Sequence, residues 1–278
     1  MTPVEATAVT FAASLVAGAF GAMLGLGGGL IVVPVLTLAM GVDIRHAIGA
    51  SIVSVIATSS GAAAAYLRDR WTNLRVAMFL EVGTTAGAVS GALLAGVVPP
   101  GWLFSAFGLI LAASAAAMLR RGDGEDARTV PPDRVADRLG LHGTHPDGAG
   151  GETAYRVARP LPALGLMYGA GVLSGLFGIG SGIVKVPAMD LLMGMPLKAS
   201  TATSNFMIGV TAATGASVYF FRGDIDPFVA APVAAGVLGG AAVGSRLLAR
   251  VPTGALRVAF VAVLAIAAAR MVWQGVAG

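Results

Sequence analysis

Cysteine is absent from this 278-residue chain, which excludes disulfides, thiol catalysis and thiolate metal sites. Charge is scarce too: charged residues make up 12% against 56% apolar, well under the quarter or so usual in soluble domains. With a mean hydropathy of +0.82, this set cannot cover a water-exposed globule. Segments of alternating apolar and polar residues, which a membrane β-barrel needs, are missing as well. No basic residues precede the first apolar run, Ala6 to Met40, so it reads as a retained span and not a cleaved signal. The net charge of +4 is spread over the ends of apolar runs, which suits loops that orient a membrane protein better than nucleic-acid binding.

What is present is a series of continuous runs rich in Ala, Leu and Gly. They fall near 6–25, 28–41, 46–67, 74–98 and 101–119, then near 161–178, 181–194, 199–221, 227–249 and 254–273. Most approach the roughly 20 residues of helix that span a bilayer core. The expectation is an all-α polytopic membrane protein of about eight to ten segments. Residues 1–120 form a first membrane repeat and 161–278 a second. Between them, 121–160 holds seven of the fourteen acids and two of the three histidines, with Gly and Pro, and reads as a solvated connector. His142 and His145 lack the supporting cluster a metal site needs, so no metal and no cofactor is expected.

The repeat is visible without a gap. A shift of 153 residues lays GLGGGLIVVP (Gly25 to Pro34) on GIGSGIVKVP (Gly178 to Pro187). It also pairs Ser51 with Ser204, Thr58 with Thr211, Tyr66 with Tyr219, and Gly83, Gly87 and Gly91 with Gly236, Gly240 and Gly244. The short pieces 28–41 and 181–194 decide how the halves relate. If they cross the membrane, each half has an odd number of segments and the halves are inverted; if they are re-entrant, the halves are parallel. Inversion gathers Arg68, Arg70, Arg75, Arg120, Lys198 and Arg250 on one side, and the positive-inside rule favours it, with both termini outside.

Each half thus has a span interrupted by a Gly-rich turn and followed by a short helix. Irregular backbone at membrane depth must be buried or line a wet cavity, and paired interrupted segments point to a transporter site. The candidate binding residues are Gly27, Gly28, Gly29, Ser51 and Thr58 in the first half, and Gly180, Ser181, Gly182, Ser204, Asn205 and Thr211 in the second. Backbone N–H groups at Gly29 and Gly182, with neutral hydroxyls and an amide, suit an anion that must bind and then leave. The plainer alternative is that the glycines serve tight packing and the hydroxyls bond to their own helices. A dinucleotide-loop reading of GLGGG fails, because Leu30 stands where the third Gly belongs.

The paired Gly-rich motifs, each followed by a short helix and a Ser/Thr-bearing segment, resemble the TauE/SafE sulfite exporter family over all of the chain but the connector. The resemblance implies a multi-pass inner-membrane secondary transporter of sulfite or small organosulfonates, not an enzyme. Its partners would be a small sulfur-containing anion and the bilayer, with a homodimer left open.

Four ionisable groups break the repeat. Lys185 stands opposite Val32, Asp190 opposite Thr37, Glu81 opposite Ala234 and Arg246 opposite Leu93. Intramembrane charges are expensive and usually have a task or a partner. Lys185 is expected to meet the anion, unless it snorkels or pairs with Asp190. Glu81 and Asp190 are coupling candidates, although Glu81 follows Arg75 closely enough to read as interfacial. The rival readings are an anion channel or a permease for another anion such as a carboxylate, an intramembrane enzyme lacking a nucleophile–base pair, and a scaffold.

Overall fold

The computed structural model describes residues 3–24, 29–120, 131–146, 151–247 and 253–277. The first half runs α1 (Pro3–Leu24), α2 (Gly29–Pro34), α3 (Ile44–Arg68), α4 (Leu74–Val97) and α5 (Pro100–Arg120). The second runs α7 (Pro160–Phe177), α8 (Gly182–Pro187), α9 (Leu197–Arg222), α10 (Pro227–Leu247) and α11 (Thr253–Ala277). Between them lie α6 (Arg134–Leu139) and a hairpin of β1 (Gly143–Pro146) and β2 (Glu152–Tyr155). The helix ends fall within a few residues of the apolar-run boundaries. By length and composition α3, α4 and α7 can each cross a membrane, and shorter apolar helices accompany them among the described residues. Leu93, Leu109, Phe221, Phe228 and Ile266 are all more than half exposed on the outer faces, a surface that suits lipid.

The short helices carry matching irregularities. Both α2 and α8 end on a proline, Pro34 and Pro187, and each continues into a π-helical turn, Val35–Ala39 and Ala188–Leu192. Proline has no N–H to keep the α ladder regular, and such widened turns often mark functional sites. With its turn, each short arm rises only about 16 Å, half a bilayer core. Each arm brings the chain back towards the face from which the preceding long helix came. The Ala158 N–H, just before α7, donates to the Met193 carbonyl just after the second π turn at 3.1 Å. Thr10 in α1 lies 3.6 Å from the Met40 sulfur after the first.

Close packing depends on glycine. α4 lies along α7 and α1 along α10. A methyl group at Gly87 would collide with the Tyr168 carbonyl oxygen, one at Gly171 with that of Thr84, and one at Gly240 with that of Leu15. In lipid, where burial of apolar surface gives little drive, such backbone approach is what holds helices together. α5 pairs with α11 and α3 with α9. Both of these pairs are antiparallel: Gly49 near the start of α3 meets Asp224 after α9, while Asn73 beyond α3 meets Thr203 early in α9. Likewise Gly101 meets Gly275, and Gly108 meets Ala268 and Val272.

α4 and α9 run in the same direction, joined by three bonds at one register. The Asn73 N–H donates to Thr203 Oγ1 at 3.0 Å, Thr211 Oγ1 donates to Glu81 Oε1 at 2.7 Å, and Arg222 donates to the Ala92 carbonyl at 2.6 Å. Arg45 donates to the Ala95 and Val98 carbonyls, so two arginines satisfy the open end of α4.

The described part of the segment between the halves is folded. Asp133 caps α6 by accepting from Val135 and Ala136 N–H, and its other oxygen accepts from Arg159 N–H. These bonds, Ala136 first, hold its carboxylate below the usual range. Ala136, Leu141 and Val157 bury against Val76, Leu80, Met189 and Met193, so the segment rests on both α4 and the second π turn. Asn73 caps α4 through Val76 N–H and donates to the Leu141 carbonyl and Tyr155 hydroxyl, both at 2.9 Å. His142 Nε2 stands 2.7 Å from Asp137, and its Nδ1 accepts from Val157 N–H. His145 stacks on Trp71. Among the described residues no cluster suited to a metal ion occurs.

Candidate functional site

The second half's break lies between α7 and α8. Gly178 closes α7 with φ +67°, Gly180 follows at φ +72°, and Ser181 stands at φ +52°. Left-handed backbone is easy for glycine, but Ser181 adopts it at a cost of about 1–2 kcal/mol. Such strain in a non-glycine residue is a feature of functional sites. The Ser181 side chain is buried, and its hydroxyl has no hydrogen-bond partner. Its counterpart under the 153-residue shift is Gly28.

The second half's break meets the start of α2. Ser51 on α3 donates its hydroxyl to the Gly178 carbonyl at 2.9 Å and stands 3.4 Å from the Gly29 carbonyl. A methyl at Gly29 would press on Ser51 and on the Gly178 oxygen. A methyl at Gly182 would face Ile208 and, at 3.8 Å, the Ser204 hydroxyl. Ser204 is 1% exposed, and its hydroxyl is likewise without a partner. Unpaired buried hydroxyls cost free energy, and most buried polar groups avoid that state. Both of these hydroxyls lie beside the second half's break.

Lys185, on α8, is fully buried. It neither snorkels nor pairs with Asp190: its Nζ donates to Thr211 Oγ1 at 2.7 Å, and that hydroxyl meets Glu81 Oε1 at 2.7 Å. Thr85 donates to the same carboxylate oxygen at 3.2 Å, while Glu81 Oε2 is buried and unpartnered. Glu81 is therefore not interfacial. From Asn73 to Glu81 α4 rises about 12 Å, a third of its length, and the carboxylate is buried there among the packed helices. Its nearness to Arg75 along the chain hid this, because the Arg75 side chain turns outward to the Gly140 carbonyl.

Other candidates have ordinary partners. Thr58 bonds back to the Ser54 and Val55 carbonyls, and Asn205 donates to the Thr201 carbonyl. Ser54 and Ser59 also bond within their own helix. Asp190 is half-buried on the second π turn. Gly27 and Gly28 lie outside the described residues. Asn73 went unread in the sequence, although an Asn just before an apolar run is a cap signal. The two cavities described, about 400 and 340 Å³, lie between α11 and the α2 arm, lined in part by Leu38 and Arg270, and do not reach Lys185.

Short interrupted arms, a buried charge network and apolar outer faces are the marks of a multi-pass helical membrane transporter. The chain belongs to the TauE/SafE sulfite exporter family, whose profile matches residues 10–271. It is similar to the "Probable membrane transporter protein YunE" of Bacillus subtilis (strain 168), 26% identical over 94% of this chain and 96% of that protein. A "Probable membrane transporter protein" of Xylella fastidiosa (strain 9a5c) is 27% identical over 82% of this chain and 79% of its own. A third relative, "Probable membrane transporter protein YdhB" of Bacillus subtilis (strain 168), is 24% identical over 88% of this chain and 91% of its own. No solved structure matches the chain.

Proposed function

We propose that this protein is a secondary transporter that exports sulfite or small organosulfonate anions across the bacterial inner membrane. The anion binds where the second half's break meets the start of α2, between Gly29, Ser51, Gly180, Ser181, Gly182, Lys185 and Ser204. The observation that carries this reading is the buried Lys185 ammonium on the arm that begins at Ser181, with the unpartnered hydroxyls of Ser181 and Ser204 beside the same break. A lysine supplies charge and up to three N–H donors, of which one is engaged here. Two hydroxyls add donors for the oxygens of a small tetrahedral or pyramidal anion.

The two halves are inverted copies that expose this site alternately. Each arm returns the chain to the face its preceding helix left. Helix and arm together thus add no net crossing, and an odd number, three crossing helices, remains in each half. Three features support the inversion: the shift of 153 residues, the antiparallel run of the equivalent helices α3 and α9, and the reciprocal pairing of α1 with α10 and of α7 with α4. Basic residues around Arg68, Arg75 and Lys198 then mark the cytoplasmic face, and both termini lie outside.

The test is flux of radiolabelled sulfite into proteoliposomes holding the purified chain. Saturable flux competed by methanesulfonate is the expected result. Competition by carboxylates alone would move the substrate class. Flux no greater than in empty liposomes, for sulfite, sulfonates and carboxylates alike, would sink the transporter reading of this site.

A further inference from the structure

The charge at the site belongs to a chain of three groups, and only one is in the part that would hold the anion. Lys185 donates to Thr211, and Thr211 has a single hydroxyl proton with two acceptors, Glu81 Oε1 and the Met207 carbonyl, each at 2.7 Å. Lys185 occupies a lone pair of the Thr211 oxygen and leaves its proton free to serve either acceptor. Glu81 Oε2 remains buried without a partner. As drawn, the pair of Lys185 ammonium and Glu81 carboxylate is neutral.

An entering monoanion would leave this buried group with one net negative charge, which a membrane interior strongly disfavours. Drawn towards the anion, the Lys185 ammonium also leaves Thr211, and Glu81 loses the cation that stabilises it. Among the described residues of the helices packed against Glu81, the other ionisable side chains are engaged elsewhere, Tyr219 on α9 with the Gly175 carbonyl. α7, packed against α4, carries Tyr168 as its one ionisable side chain, which is bonded to Ser90. α9 carries Lys198 and Arg222 near its two ends, the first over Trp71 and the second with Asp224. On α4 itself Arg75 is held by the Gly140 carbonyl. Asp190, half-buried beyond α8, is bonded to neither Lys185 nor Glu81, which meet through Thr211.

We propose that Glu81 is the proton acceptor of the transport cycle: one proton from water adds to Glu81 Oε2 for each monoanion that Lys185 takes up, and both leave together. The proposal rests on the anion site described above. Anion plus proton adds no net charge, and Thr211 turns its hydroxyl to the Met207 carbonyl once the carboxyl is neutral. The positions equivalent to Lys185, Thr211 and Glu81 in the other half are Val32, Thr58 and Ala234, so the chain holds one such proton site.

The experiment uses the full chain in proteoliposomes with a trapped pH dye and a valinomycin-set potential, with sulfite and methanesulfonate as probes. For the wild type, about one proton should cross with each methanesulfonate, and the flux should follow an imposed pH gradient and ignore the potential. In Glu81→Gln, uptake driven by the pH gradient should fall at least about tenfold, and the remaining flux should become voltage-dependent. Glu81→Asp should retain the coupling at a reduced rate. Wild-type flux of either probe without proton movement overturns the proton role and leaves the transporter reading standing. An unchanged pH-driven flux in Glu81→Gln does the same. Absence of any flux in the wild type overturns both. If Glu81→Gln does not fold, the wild-type ratio of protons to methanesulfonate decides.

Discussion

The α2 arm and the α8 arm have the same plan and different chemistry. Each starts after a Gly-rich break, ends on a proline, widens into a π-helical turn and leads the chain back towards the face it left. All six residues of α2 are buried and, Gly29 and Pro34 apart, aliphatic. In α8 the fully buried residue is a lysine, tied through a threonine to a glutamate of the other half. The two arms thus share a backbone plan, while their burial differs and only α8 carries a buried charge. A fold can keep its symmetry as long as each helix meets a neighbour of the right shape. A charge-balancing step needs one ion pair, and a second would add a desolvation cost without a task.

The largest test of this contrast is at Lys185. Lys185→Ala leaves Glu81 as an uncompensated buried charge, so thermal melting in detergent should show a loss of about 3–5 kcal/mol, with sulfite flux abolished. Val32→Ala should lose only buried methyl groups, about 2 kcal/mol, with flux close to wild type. Lys185→Leu combined with Glu81→Leu should restore stability without restoring flux. If the double variant transports normally, the asymmetry is only structural.

The symmetric part can be challenged at the helix seams. Gly87→Val and Gly240→Val should each cost about 1–3 kcal/mol by the same assay, because each side chain meets a carbonyl of the facing helix. A seam that tolerated valine would separate the halves structurally as well as chemically. Ser181→Gly should act in the opposite direction. Relief of the left-handed strain should raise stability by about 1 kcal/mol, while loss of the hydroxyl should weaken sulfite binding, read as a higher half-saturation concentration.

The smallest effect concerns the folded segment between the halves. Asp133, Asp137 and Glu152 all titrate below their ordinary values, held by the Ala136 N–H, by His142 and by Thr144 respectively. A carboxylate depressed in the folded state contributes stability above its ordinary value and loses it as pH falls through the depressed one. Below about pH 4, amide exchange in 131–159 should therefore accelerate before exchange in α4 or α9. Equal acceleration everywhere would show that this segment does not open independently.

Much of the framework was legible in the sequence. Continuous apolar runs gave the helices to within a few residues, because length and hydropathy decide what a bilayer accepts. The Gly-rich breaks were legible because glycine stands out in otherwise helical runs. Glu81 was misread because its partner Thr211 is distant in sequence and reaches it only through the α4–α9 contact. The order within the segment between the halves was also hidden: its Gly, Pro and charge content suggested solvation, while Ala136, Leu141 and Val157 bury against helix ends that composition cannot reveal. Thr58 and Asn205 show the limit of reading hydroxyls and amides as ligands, since their own helices already satisfy them.

The three bonds along α4 and α9 have a mechanical consequence. They lie at the bottom, middle and top of one contact, and a slide of one residue along it would break all three together. A roll about that contact need break none at the ends. The seam therefore resists sliding of α4 along α9 at three levels at once, with Glu81 at the middle one.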